Sequence, residues 1–135
     1  MGLKLSNFGE REILQDYFSL CPTMYIGLYV APTVIVDDTL VGDLVEASFD
    51  GYEQKVLSFD GLEMGNPNGK AQANFTPVEW VKAAGVLGQQ IKGLFVLGGD
   101  PLDFMWGGDF DVERPMQNEG DTLSFSPYFR LRSEY

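Results

Sequence analysis

Five carboxylates crowd one stretch of this 135-residue chain: Asp100, Asp103, Asp109, Asp111 and Glu113. Calcium takes oxygen ligands of this kind from loops, and Gly107-Gly108 beside them suits a bending backbone. The spacing is not that of an EF-hand, and Leu102, Phe104, Met105 and Trp106 interrupt it, so a solvated turn between strands is the expected structure. Two carboxylates can also hydrolyse a glycoside without histidine. With 20 acidic residues, however, some pair stands at a workable distance by chance. Trp80 and Trp106 could stack on a sugar but read first as core or interface aromatics.

The rest of the catalytic repertoire is missing. The chain holds no histidine and one cysteine, Cys21, so triad and thiol–imidazole chemistry have no residues to run on. Cys21, next to Pro22, is expected to be a small buried side chain. Gly98-Gly99 and Gly107-Gly108 lack the lysine and hydroxyl residue of a phosphate-cradling loop and read as turns. No catalytic residue, cofactor or metal is assigned, and the chain is not expected to be an enzyme.

Charge narrows the partners. Nine basic residues against 20 acidic ones leave a net charge of −11, and the basic ones form no cluster. A nucleic-acid binder shows a basic footprint that displaces phosphate counterions, so nucleic acid is not an expected partner. Met24–Val30, among the longest apolar stretches, is strand-sized; none approaches the roughly 20 residues that span a bilayer, and no membrane is expected. One cysteine excludes an internal disulfide framework. A chain of this length, 44% apolar and 13% aromatic, suits one ordinary domain with its own core.

Local patterns then set the elements. Asn7 or Ser6 can cap, Glu10 three residues after Asn7 having capping-box spacing, and Phe8, Ile13, Leu14, Tyr17 and Phe18 fall mostly on one helical face. A helix over 7–20, ended by Pro22, is predicted. Beyond it the chain changes to short extended runs: Met24–Val30, Val34–Val36, Gly51–Phe59, Ala71–Phe75, Ile91–Leu97 and Phe104–Trp106. Residues 61–70 read as a loop, and Asn118–Asp121 as a turn. Leu123 and Phe125 alternate with Thr122, Ser124 and Ser126 as in a half-buried strand, and Phe129 and Leu131 continue that strand after Pro127. Seven or eight short strands with frequent turns predict a mainly β fold, an antiparallel β-sandwich of jelly-roll or immunoglobulin-like type with a short N-terminal helix. Residues 1–135 are expected to form a single domain.

The remaining candidates are surfaces. The helix stripe of Phe8, Ile13, Leu14, Tyr17 and Phe18 can cover its own sheet or a neighbour, its own sheet being the commoner use. The C-terminus alternates to its last residues, with Arg130, Arg132 and Tyr135 as candidate contacts.

The order of segments also carries a resemblance. LSNFGEREILQDYF, MYIGLYV, EASFDGYEQKVLSF, GNPNGKAQANFTPVEW, IKGLFVL and NEGDTLSFSPYFRL follow one another in a way that resembles small structural proteins of tailed bacteriophages. The likeness is to capsid decoration (cement) proteins and head or tail-fibre components. It implies a β-sandwich that assembles, as a homotrimer, on the major capsid protein or other virion proteins. It also implies a place on the outer surface of the head after synthesis in the host cytoplasm, and carries over no catalytic residue. A tail or fibre component is the alternative, binding a host-surface glycan or a neighbouring tail protein, with Tyr52, Trp80 and Trp106 exposed together as a stacking platform.

Overall fold

The computed structural model describes residues 7–20, 24–63, 72–99 and 103–130. Among the described residues the protein is mainly β, its paired strands antiparallel, with one short α-helix and three open sheets. In order come α1 (Asn7–Leu20), β1 (Met24–Tyr29), β2 (Lys55–Leu57), β3 (Phe59–Glu63), β4 (Gln72–Phe75) and β5 (Val78–Val81). Then follow β6 (Gln89–Gly98), β7 (Asp103–Met116), β8 (Thr122–Phe125) and β9 (Tyr128–Arg130). Two compact units divide the chain. Unit 1 holds residues 1–22, 58–77 and 126–135, and unit 2 holds 23–57 and 78–125.

In unit 1, β3, β4 and β9 form a three-stranded sheet against which α1 packs through β3 and β4. The apolar stripe does what a 3.6-residue period allows. Leu14 and Phe18 are buried, and the Phe18 ring meets Phe59, Phe75 and Phe129 at centroid distances of 5.7, 5.1 and 5.8 Å. The helix thus covers its own sheet.

In unit 2, a four-stranded sheet runs β2-β1-β6-β7, and a two-stranded sheet pairs β5 with β8. The central strands β1 and β6 are buried along most of their length, as the apolar runs MYIGLY and, beyond Lys92, GLFVLG require. Tyr29, Phe95 and Leu97 form the core under one face, with Ile35, Leu44 and Phe104 packed on them. The smaller sheet joins through β8, where Phe125 stacks on Phe110 of β7 at 5.2 Å and meets Trp80 of β5 at 6.3 Å.

Several expectations need correction. Val34–Val36 is not a strand, because Thr39 Oγ1 accepts from the Val36 amide and the segment folds back on itself as a loop. The 51–59 run divides into β2 and β3 at Ser58, and β3 extends through Glu63 into residues read as loop. Val78–Val81 forms β5, which was not foreseen. Gly107-Gly108, read as a turn, lies inside the 14-residue β7, opposite Phe95 and Leu94. A Cβ at Gly107 would press on the Leu94 carbonyl and the Phe95 backbone, so the glycine serves close approach of two strands. The acidic run is therefore largely strand. Its irregularity is a register shift: Ile91 pairs with Arg114 and Gly93 with Asp109, so 110–113 bulge from the ladder and Asp111, Val112 and Glu113 are exposed.

Candidate functional site

The loop 31–46 of unit 2 combines two properties that seldom coincide: its backbone is fastened at many points, and five large apolar side chains stand on its outside. Thr33 and Thr39 are buried and act as internal brackets. Thr33 Oγ1 accepts from the Val45 amide at 2.8 Å while the Thr33 amide donates to the Val30 carbonyl at 3.1 Å. The Val36 amide donates to Thr39 Oγ1 at 2.8 Å. Asp43 accepts from the Leu40 amide, also at 2.8 Å. Short polar side chains of this kind satisfy backbone groups locally and compete with a strand ladder, which is why VIV does not extend.

The sheet fastens the loop from outside. Lys92 Nζ on β6 donates to the Thr33 carbonyl at 2.6 Å. Asp103, at the start of β7, accepts from the Val41 amide at 2.9 Å and from its neighbour Phe104 at 2.7 Å. Those two amides, Val41 first, hold the Asp103 carboxyl below its ordinary range, so it stays anionic at neutral pH. Ile35 and Leu44 point inward to the core.

Much of what remains outside is apolar. Val34 (64% exposed), Val36 (53%), Leu40 (58%), Val41 and Val45 all face solvent. Exposed apolar residues scattered singly are ordinary; five within the twelve residues 34–45 of a fastened loop are an unusual concentration. Beside it, Ile35, Val36 and Asp37 face Phe104–Gly107 across a groove of about 290 Å³. The acidic residues Asp37, Asp38 and Asp43 are exposed along the loop. Unit 2 carries 14 acidic and four basic residues, a net charge of −10, which leaves −1 for unit 1.

The residues singled out in the sequence are placed as follows. Leu14 is 1% exposed and Phe18 is buried within unit 1, so neither is available to a partner, and the outward part of the stripe falls to Ile13 and Tyr17, both exposed. Phe8 lies in α1 and Arg130 ends β9 opposite Gln72, with the side chains of both outside the described residues. Arg132 and Tyr135 also lie outside the described residues, as do Cys21 and Pro22. The aromatic platform is overturned. Trp80 is 1% exposed and donates through Nε1 to the Glu53 carbonyl at 2.8 Å. Tyr52 is half-buried, accepts from the Leu28 amide and donates to Glu46 at 2.6 Å.

Two carboxylates of the acidic run hold the fold at separate places, while Asp111 and Glu113 are exposed and Asp100 lies outside the described residues. Asp103 holds the loop, and Asp109 accepts from the Tyr29 hydroxyl at 2.6 Å. Among the described residues no three His, Cys, Asp or Glu side chains stand together as a metal site.

The loop surface and Lys82 were both missed in the sequence. Lys82 is fully buried, its Nζ donating to the Ala83 carbonyl at 2.6 Å and standing 3.5 Å from Asp50. Strict alternation was the signal for it: Val78, Trp80 and Lys82 are buried and Glu79 and Val81 exposed, so the period places Lys82 inward. Compared with protein-family models, curated proteins and solved structures, the chain finds no match.

Proposed function

We propose that this chain is a non-catalytic assembly protein, a virion structural protein that decorates and stabilises the outer surface of a phage shell by docking on the major capsid protein. The observation that carries the docking is the fastened loop 31–46 with five apolar side chains facing out. Holding a loop in one conformation before contact removes part of the ordering penalty of association, and apolar area buried on contact supplies the attraction at roughly 25 cal/mol per Å². The phage shell enters from the resemblance of the segment order, which also makes a homotrimer the proposed state. Many copies on a repeating lattice would then add avidity to a modest single contact.

The test is co-sedimentation with emptied phage heads that lack this protein. Wild type is expected to pellet with the heads, and the double variant Val34→Asp/Leu40→Asp, folded by circular dichroism, is expected to stay in solution. Equal pelleting of the two, or no pelleting of wild type, overturns the proposal.

A further inference from the structure

The groove beside the loop constrains what docks there. Its volume of about 290 Å³ sits at the lower limit of the roughly 300–1,000 Å³ typical of small-molecule and cofactor sites, and is enough for one or two large side chains. Its lining mixes apolar and polar groups: Ile35, Val36 and Asp37 on the loop, with Phe104, Met105, Trp106 and Gly107 on β7. A one-residue register shift between Val96/Trp106 and Leu97/Phe104 places Met105 in a β-bulge, a device that re-aims a side chain. Methionine also adapts its shape to an incoming apolar group.

The charge at the groove and along the segments that form it has one sign. Asp37 lines the groove, Asp38 is exposed next to it, and Asp103 is held as an anion at the start of the same strand. Lys92, a cation that touches the loop, is committed to the Thr33 carbonyl. With −10 concentrated in unit 2, a second copy of this surface, an anionic lipid headgroup or a nucleic acid meets repulsion. A polypeptide with positive flanks is drawn in.

We propose that the groove receives an apolar side chain from a protein segment flanked by lysine or arginine. This rests on the reading of the chain as a docking protein and names the chemistry of its partner. Interfaces of this design combine a desolvated apolar anchor with a charged rim that steers approach and sets specificity.

The groove contains its own probe. The protein has two tryptophans; Trp106 lines the groove while Trp80 is buried elsewhere, so Trp106 emission reports occupancy over a constant background. The titrants are two short synthetic peptides with the same central Leu-Phe pair, one flanked by lysines and the other by glutamates. The lysine peptide is expected to give a saturable emission shift, absent in Trp106→Phe and lost in the exposed-site variant Val36→Asp. Its affinity should fall about tenfold when screening is raised from low to high salt, and the glutamate peptide should bind at least about tenfold more weakly. Equal shifts from both peptides, or no shift from either with the protein folded, overturn the inference. Head co-sedimentation of wild type is read separately. If heads bind and the peptides fail, the groove chemistry is wrong and the docking reading stands; if heads fail as well, that reading falls too.

Discussion

Tyr29 ties three strands together through a single hydroxyl. From β1 its ring passes over Gly93 of β6, where any Cβ would collide with the ring, and its hydroxyl donates to Asp109 of β7 at 2.6 Å. Gly93→Ala is therefore expected to displace the ring and lower stability by about 1–3 kcal/mol, the usual penalty of overpacking, as measured by urea unfolding. Burial and the neighbouring Asp109 push the Tyr29 hydroxyl well above its ordinary pKa of 10.0, and burial with the Glu46 contact does the same for Tyr52. Above pH 10 the unfolded chain loses these protons while the folded protein keeps them, so stability falls as pH rises. The double variant Tyr29→Phe/Tyr52→Phe should show a shallower decline in unfolding midpoint from pH 9.5 to 11. An unchanged slope would show that these two hydroxyls do not govern the alkaline limb.

Among the elements, α1 and β5 show how local pattern is converted into packing. α1 was legible because its signal is local: a cap, a carboxylate three residues on and a stripe of one period. Phe18→Ala should cost about 3–5 kcal/mol by opening a cavity among Phe59, Phe75 and Phe129, whereas Ile13→Ser on the exposed side should stay within about 0.5 kcal/mol. Both are read by thermal unfolding, and equal effects would contradict the helix orientation. On the strand side, the register that buries Trp80 also buries Lys82. Lys82→Met preserves bulk but leaves the Ala83 carbonyl without its buried donor, an expected loss of about 1–3 kcal/mol seen in the same unfolding assay. β7 was illegible for the opposite reason. Gly107-Gly108 and the surrounding aspartates have turn composition, yet the glycines are there because β6 lies close. Likewise VIV in 34–36 has strand composition, but Thr39 competes for its backbone at a distance that propensity does not register. The candidate site was illegible for that reason: an exposed apolar loop is distinguished from a strand only by the tertiary partners that fasten it, Lys92 and Asp103.

At the scale of the whole molecule, the mainly β class followed from short runs and frequent turns. The partition of charge needed the structure, since unit 2 is assembled from two distant stretches of chain and holds nearly all of the −11. In the proposed docking, the negative field of unit 2 would guide approach over about 8–10 Å at moderate salt, and the fastened loop would close the contact. The most direct measurement is amide hydrogen exchange on the protein free and bound to emptied phage heads. The account predicts added protection concentrated in residues 31–46 and 103–107, with the buried face of α1 unchanged. Added protection elsewhere with none in these two segments, or no difference between free and head-mixed protein, would contradict it.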